Sequence, residues 1–243
     1  MSSIDEKIAA LKAQLAAARR PRALTGAGVS AESGIPTFRG PGGLWKSFRP
    51  EDLATPQAFA RDPKLVWEWY DWRRGLIARA KPNAGHAVLA GLQKANPEFW
   101  LITQNVDALH QKAGSKRVLE LHGSIWRTSC TACPKHHQDL RVPILPLPPK
   151  CGDCGGLLRP GVVWFGEPLP EGTFDFALRL AENADLFLVI GTSGVVEPAA
   201  SLARAAKAAG AFVAEINPEP SALTDSADLF IKGKSAEVLA QVV

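Results

Sequence analysis

No run of about 18 apolar residues occurs anywhere in the 243-residue chain, which excludes a membrane-spanning helix. The first twenty residues, MSSIDEKIAALKAQLAAARR, set Asp5, Glu6, Lys7 and Lys12 into an Ile8/Leu11/Leu15 stripe of helical spacing, so they lack the unbroken apolar core of a secretory signal. Dense blocks of Lys or Arg are missing too. With 28 Lys+Arg against 24 Asp+Glu the formal charge is +4, which permits acidic ligands without pointing to nucleic acid. Cysteine is absent outside two short pairs, no internal repeat is found, and the one biased segment, Pro143 to Pro149, reads as an extended loop. These absences lead us to expect a soluble, cytoplasmic monomer with no membrane and no direct nucleic-acid partner.

With 46% hydrophobic residues the chain can bury one large domain, or one domain carrying a smaller insert. Ser3 and Glu6 form a capping box for a first helix, Arg19 and Arg20 suit its C-terminal end, and Pro21 stops it. Residues 41 to 62 are lid-like, with a short helix at Pro56 to Arg61, and Pro63 starts a longer helix that ends before Pro82. Leu101 to Thr103, Leu186 to Ile190 and Ala211 to Ile216 read as buried strands. Pro198 opens an alanine-rich helix that Gly210 closes, Asp228 to Lys232 is a last strand and Ser235 to Val242 a last helix. Strands alternating with helices predict an α/β fold with a parallel sheet, whose ligands bind beyond the carboxyl ends of the strands. That rule gathers the segment after Thr25, Gln104 to Asp107, Gly191 to Ser193 and Asn217 onto one rim.

The segment after Thr25 is GAGVSAESGIPTFRG, Gly26 to Gly40. Gly26, Gly28 and Ala31 fit G-x-G-x-x-G/A, a tight turn whose backbone can approach a pyrophosphate at a helix start, where free N–H groups favour an anion. Taken alone the pattern leaves nucleotide binding and an ordinary small-residue turn both open. The cysteines fall as Cys130-x-x-Cys133 and Cys151-x-x-Cys154, with seventeen residues between the pairs. Two disulfides are the alternative, but paired CxxC knuckles ask for tetrahedral thiolate ligation of one zinc, and four thiolates leave no position open for catalysis. His136 and His137 are expected on the ribbon's exposed hairpin.

Together with KPNAGH (Lys81 to His86), TQNVDALH (Thr103 to His110), LHGS (Leu121 to Ser124), RPGVVWFGE (Arg159 to Glu167), GTSGVVEPAA (Gly191 to Ala200) and INPEP (Ile216 to Pro220), these pieces resemble the sirtuins, the NAD-dependent protein-lysine deacylases. They span nearly the whole chain in family order. The resemblance implies a Rossmann-like part (1–40, 86–125 and 162–243) and a small domain made of a helical insert (41–85) and a zinc ribbon (126–161). NAD and an acyl-lysine protein substrate, bound as an extended peptide, would meet in the cleft between them.

Carried over by residue, the resemblance places Gly26, Ala27, Gly28, Glu32, Thr37, Phe38, Arg39 and Trp45 in the NAD loop region. Gln104, Asn105, Val106 and Asp107 fall at the nicotinamide and its ribose. Gly191, Thr192, Ser193, Asn217, Pro218, Glu219 and Ser235 fall around the adenosine. His122 matches the general base; Asn105 and Asp107 join it as catalytic residues, helix capping being the other use of both types. Val163, Trp164, Phe165, Gly166 and Glu167 resemble the segment that pairs with substrate backbone. In the family's reaction the acyl oxygen attacks the ribose carbon as nicotinamide leaves, and O-acyl-ADP-ribose is formed. A histidine titrating near neutrality suits the proton transfer that follows.

Tyr70, the only tyrosine, and Arg73 stand i and i+3 on one helix and resemble the acyl-pocket pair of sirtuins that remove succinyl, malonyl or glutaryl groups, with Ala54 the small residue that leaves room. The other reading of the pair is an arginine lying over aromatic surface beside a half-buried tyrosine. Two positions depart from the family pattern. Gly161 replaces a larger polar residue and is expected to loosen the floor of the cleft; Glu197 replaces an aromatic and is expected to change the surface near the Gly191 loop. An ADP-ribosyltransferase using the same cleft and a non-catalytic zinc-ribbon binding module are the competing functions.

Overall fold

The computed structural model describes residues 3–39, 43, 44 and 47–242. The first half runs α1 (Ile4–Ala17), β1 (Pro21–Thr25), α2 (Gly28–Ala31), α3 (Pro50–Leu53), α4 (Pro56–Arg61), α5 (Pro63–Arg79), α6 (Ala84–Ala95), β2 (Trp100–Thr103), α7 (Leu109–Lys112) and β3 (Val118–Glu120). It continues with β4 (Gly123–Cys130), β5 (His136–Gln138), β6 (Leu158–Val162), α8 (Thr173–Glu182), β7 (Leu186–Ile190), α9 (Ser201–Ala208), β8 (Phe212–Asn217), β9 (Leu229–Lys232) and α10 (Ser235–Leu239).

Six strands form one parallel sheet in the order β3-β2-β1-β7-β8-β9. Every residue of β1 and β7 is buried, because helices cover both faces. Alternate residues supply the two cores. Ala23, Leu101, Leu188 and Ile216 pack with Leu11 of α1, Leu89 of α6 and Leu239 of α10, whereas Leu24, Ile102, Phe187 and Val213 pack with Ala177 of α8 and Leu202 of α9. Strand order reverses at the middle of this sheet, where β1 lies between β2 and β7 and the connections run off to opposite sides, so the loops after those strands splay apart and open a crevice.

A second, antiparallel sheet, β5-β4-β6, packs against α5 around Trp67, Trp69, Ile125, Trp126 and Trp164. Two buried groups pin that helix. Trp67 Nε1 donates to Leu158 O at 2.7 Å, and the Arg74 guanidinium, fully buried, donates to the carbonyls of Ile125 (2.5 Å) and Arg141 (3.0 Å) while pairing with Asp139. The site thus lies between a rigid sheet rim and a helix fixed to the ribbon.

Several element boundaries differ from expectation. Ser3 does make the capping box, but α1 stops at Ala17 before Arg19 and Arg20, whose N–H groups are instead taken by the Asp185 carboxylate at 2.8 and 2.9 Å. Pro21 therefore begins a strand instead of only ending a helix. The alanine-rich helix starts at Ser201, three residues after Pro198. No helix of the described residues is long and apolar enough to cross a membrane.

Candidate active site

The loops after β1 and β7 press against each other. Gly26 N–H donates to Ile190 O at 3.0 Å and Gly28 N–H to Gly191 O at 2.8 Å. A Cβ on Gly28 would stand 2.7 Å from Gly191 Cα, and one on Gly26 would stand 2.8 Å from Gly191 O, so this backbone contact demands glycine at both positions. The helix that follows is a single turn, and the N–H groups of Gly28, Val29 and Ser30 are taken by the carbonyls of Gly191, Gly26 and Ala27. Those three N–H groups are thereby withdrawn from the anion cradle that the glycine pattern led us to expect. What the glycines provide is close approach of two loops, with Arg39 beside them as a cation that has no carboxylate partner among the described residues.

A cleft of about 760 Å³ opens there, within the size range of small-molecule sites. Gly26, Ala27, Gly28, Thr37, Phe38, Arg39, Gln104 to Asp107, His122, Gly191 to Ser193 and Asn217 to Glu219 all line it, and so do Ala54, Tyr70, Arg73 and Val163 to Glu167. Glu32 and Ser235 are not in this lining. The Glu32 carboxylate instead accepts from Ala236 N–H at 2.7 Å, tying α2 to α10, and Ser235 is buried at that helix start. Trp45 lies outside the described residues. A cleft at the carboxyl ends of a parallel sheet, walled by glycine contacts and lined by Arg39, fits a dinucleotide.

The polar floor is more committed than the motif suggests. Asn105 spends its amide hydrogens on Gly26 O (3.0 Å) and Ser30 Oγ (3.2 Å), leaving its oxygen as the remaining polar group. Asp107 accepts from Ser30 Oγ (2.7 Å) and from Leu109 N–H (2.8 Å), and its carbonyl accepts from Trp126 Nε1 (2.9 Å). Both carboxylate oxygens are therefore engaged, one of them in the local turn that capping chemistry anticipates. Ser30, which sequence reading passed over inside the glycine loop, is the hinge of this network. Gln104 reaches across the rim to Thr192 Oγ1 at 3.0 Å.

His122 follows β3, and its Nδ1 lies 3.1 Å from Gln104 O. A carbonyl only accepts, so Nδ1 carries the proton and Nε2 keeps its lone pair. Burial pulls the imidazole below its ordinary value, partly opposed by that hydrogen bond, so the ring is neutral at physiological pH.

At the other end, Tyr70 OH accepts from Trp164 Nε1 at 3.0 Å, and burial raises its pKa. The Arg73 guanidinium lies 4.8 Å from the Phe38 ring centroid and 4.9 Å from that of Trp69, with no carboxylate partner among the described residues. Ala54 lines the same pocket, its carbonyl accepting from Phe165 N–H at 3.0 Å. The segment after β6 is held by Glu167, whose carboxylate pairs with Arg159 at 2.5 Å and accepts from Trp164 N–H at 2.8 Å, while Val163 N–H donates to His122 O at 2.9 Å.

Of the two departures from the family pattern, Gly161 does not loosen the cleft floor: a Cβ there would stand 2.7 Å from Arg127 Cβ, so β4 already fills the space. Glu197 pairs with Arg204 and accepts from Ser201 N–H at 3.1 Å, holding the start of α9.

The four cysteine sulfurs lie within 4.8 Å of one another, at 3.5 Å for Cys130–Cys154 and 3.9 Å for Cys133–Cys151. Thiolates about 2.3 Å from a tetrahedral zinc stand about 3.8 Å apart, so the set fits that ion, and these separations exclude disulfides. His137 lies nearer the site than expected of an exposed hairpin, 4.0 Å from Cys151 Sγ and 3.4 Å from Asp153. Cys130→Ser is expected to lower zinc from one equivalent per chain and to melt well below the parent, since zinc thiolate sites contribute folding free energy; elemental analysis with a thermal melt checks this.

Burial, with His86 nearby, holds His110 down at about 3. The unfolded state takes up a proton near 6.5 that folded His110 refuses, so this contribution is intact above about pH 6.5 and is lost as pH falls toward about 3. Melts at about pH 7.5 and about pH 5 should show the drop, and His110→Gln should lessen it.

A parallel sheet with a cleft at the carboxyl ends of its strands is the arrangement of a nucleotide-using enzyme class, and the four-cysteine cluster stands beside the second sheet. Residues 26–198 match the Sir2 family, and the chain belongs to it. The NAD-dependent protein deacylase of Aquifex aeolicus is 58% identical over 219 residues, covering 90% of this chain and 92% of that protein. A solved Sir2 homolog–NAD complex superposes with a TM-score of 0.92 at 51% identity, covering 99% of this chain and 93% of the other. A Sir2 protein solved with a myristoylated histone peptide gives 0.80 at 34% identity, covering 98% and 95%.

Proposed function

We propose that the chain is an NAD-dependent protein-lysine deacylase that takes its substrate as an extended acyl-lysine peptide and prefers succinyl or malonyl groups over acetyl. One observation carries the reading: the glycine-walled rim, His122 and Arg73, an arginine without a carboxylate partner among the described residues, line a single cleft. We read the whole as one catalytic unit, with residues 41–85 and 126–161 forming the smaller part.

NAD, when bound, would supply the ribose carbon that receives the acyl oxygen as its bond to nicotinamide breaks. The protein's own tasks are positional and protic. Backbone contacts at Gly26, Gly28 and Gly191 hold the rim, Arg39 on the same cleft wall is the cation for the pyrophosphate, and Asn105 offers its oxygen beside Ser30 and Asp107. Bare Nε2 of His122 takes the proton that a ribose hydroxyl must lose. With the N–H groups of Val163, Trp164 and Phe165 given to His122 O, Glu167 and Ala54 O, the carbonyls of Val163 and Phe165 accept from the peptide backbone, which gives affinity with little sequence selection. Zinc at Cys130, Cys133, Cys151 and Cys154 would keep the ribbon folded and supply no chemistry.

Free nicotinamide and O-acyl-ADP-ribose should both appear when NAD is mixed with a succinyl-lysine peptide, and neither without the peptide. Nicotinamide release accompanied by ADP-ribose on protein would indicate a transferase instead. No nicotinamide release at all would indicate a binding module.

A further inference from the structure

β8 carries Glu215 and Asn217 two residues apart, hence on the same face of the sheet. Glu215 is completely buried and has no cationic partner among the described residues. Its two oxygens meet two neutral donors: Asn217 Nδ2 on Oε1 at 2.6 Å and Thr224 Oγ1 on Oε2 at 2.6 Å. A carboxylate buried without an ion pair costs stability that an apolar residue here would not, so its place calls for another account.

The hydrogen bonds supply one. Asn217 Nδ2 also donates to Thr192 O at 2.9 Å. A carbonyl and a carboxylate can only accept, so these two contacts dictate which way the amide faces and use both of its hydrogens. What Asn217 can then offer the cleft it lines is the acceptor oxygen alone. Thr224 extends the clamp, because its hydroxyl accepts from Ser221 N–H at 2.8 Å, and Ala222 N–H donates to Ser193 O at 3.1 Å. One carboxylate thus ties the rim amide to the loop that walls the cleft beyond β8.

We infer that Glu215 is a positioning residue for the dinucleotide: it fixes Asn217 with its oxygen toward the cofactor, where it accepts from a sugar hydroxyl and disfavours a phosphate at the same place. The inference rests on reading the cleft as the NAD site.

Glu215→Gln is nearly isosteric, but an amide can present its own N–H₂ to Asn217 and let that side chain turn over. Its KM for NAD should rise about five- to fiftyfold, with kcat and the KM for acyl peptide within about twofold of the parent. The preference for NAD over NADP, read from the two values of kcat/KM, should narrow with it. Thr224→Val, which removes one of the two clamps, should raise the KM for NAD by a smaller factor, and Thr224→Ser, which keeps the hydroxyl, should restore it. If whichever variant folds, judged by its melt without NAD, keeps the parent's KM for NAD, or loses kcat at unchanged KM, Glu215 only supports the fold. Calorimetric titration of parent and variants with NAD alone separates this from the proposed activity: a parent that binds NAD without deacylating overturns the activity, whereas equal NAD affinity in parent and Glu215→Gln overturns the positioning role.

Discussion

His122→Ala is expected to bind NAD nearly as the parent does and to lose deacylation by about 10²- to 10⁴-fold, the range a positioned general base contributes. The side chain holds its Nδ1 proton on Gln104 O and lines the cleft with Nε2 bare, so removing it takes away a base without disturbing the glycine contacts that build the rim. Its pH signature has a sign. Because burial holds the imidazole below its ordinary value, the ring stays neutral and basic as pH falls past about 6.5, and the acid limb of kcat/KM should lie below that point. The limb should vanish in His122→Ala. A purified variant that turns over like the parent, or a parent whose acid limb lies above the ordinary histidine value, would leave His122 a structural group hydrogen-bonded to a carbonyl.

Arg73→Met is expected to abolish a preference of roughly ten- to hundredfold for succinyl- over acetyl-lysine while sparing deacetylation. Burial pulls this guanidinium below its usual value and only Tyr70 and Asp107 oppose the effect, so it is a buried cation whose contacts among the described residues are mostly aromatic faces. A carboxylate arriving on an acyl chain would complete it with a charge-assisted bond worth about 1.5–3 kcal/mol, and an acetyl group would not. The packing reading of the Tyr70/Arg73 pair is present in the fold, the arginine lying over Phe38 and Trp69 and the buried tyrosine accepting from Trp164, while the acyl-pocket reading rests on the pair lining the cleft beside Ala54. Paired kcat/KM values on one peptide carrying either acyl group decide between them. Equal processing by the parent, or an equal loss on both peptides in Arg73→Met, would assign Arg73 to packing.

The layout of the sheet was legible in the sequence because burial on both faces writes itself as short unbroken apolar runs, and helices between them as a different period. Leu186 to Ile190 is such a run, and the residues after it, Gly191 to Ser193, fell on the rim where parallel sheets bind ligands. The cysteine knuckles were legible for a similar reason: two ligands of one tetrahedron come from a single turn, so the spacing is local. β3 was not, since its three half-buried residues carry too little pattern to distinguish a strand from a loop.

What the sequence by itself determined is therefore what neighbouring residues impose on each other: the alternation of strand and helix, the zinc ligands, and the glycines of the first loop. Only the tertiary structure decided which polar groups are already spent. It joined Ser30 to Asp107 and Asn105, turned Glu32 away to α10, filled the space at Gly161 with Arg127, and set Glu215 against Thr224. The physical reason is that periodicity and spacing act within a few residues, whereas a buried donor must find its acceptor wherever packing brings one, here as far apart as Glu32 and Ala236.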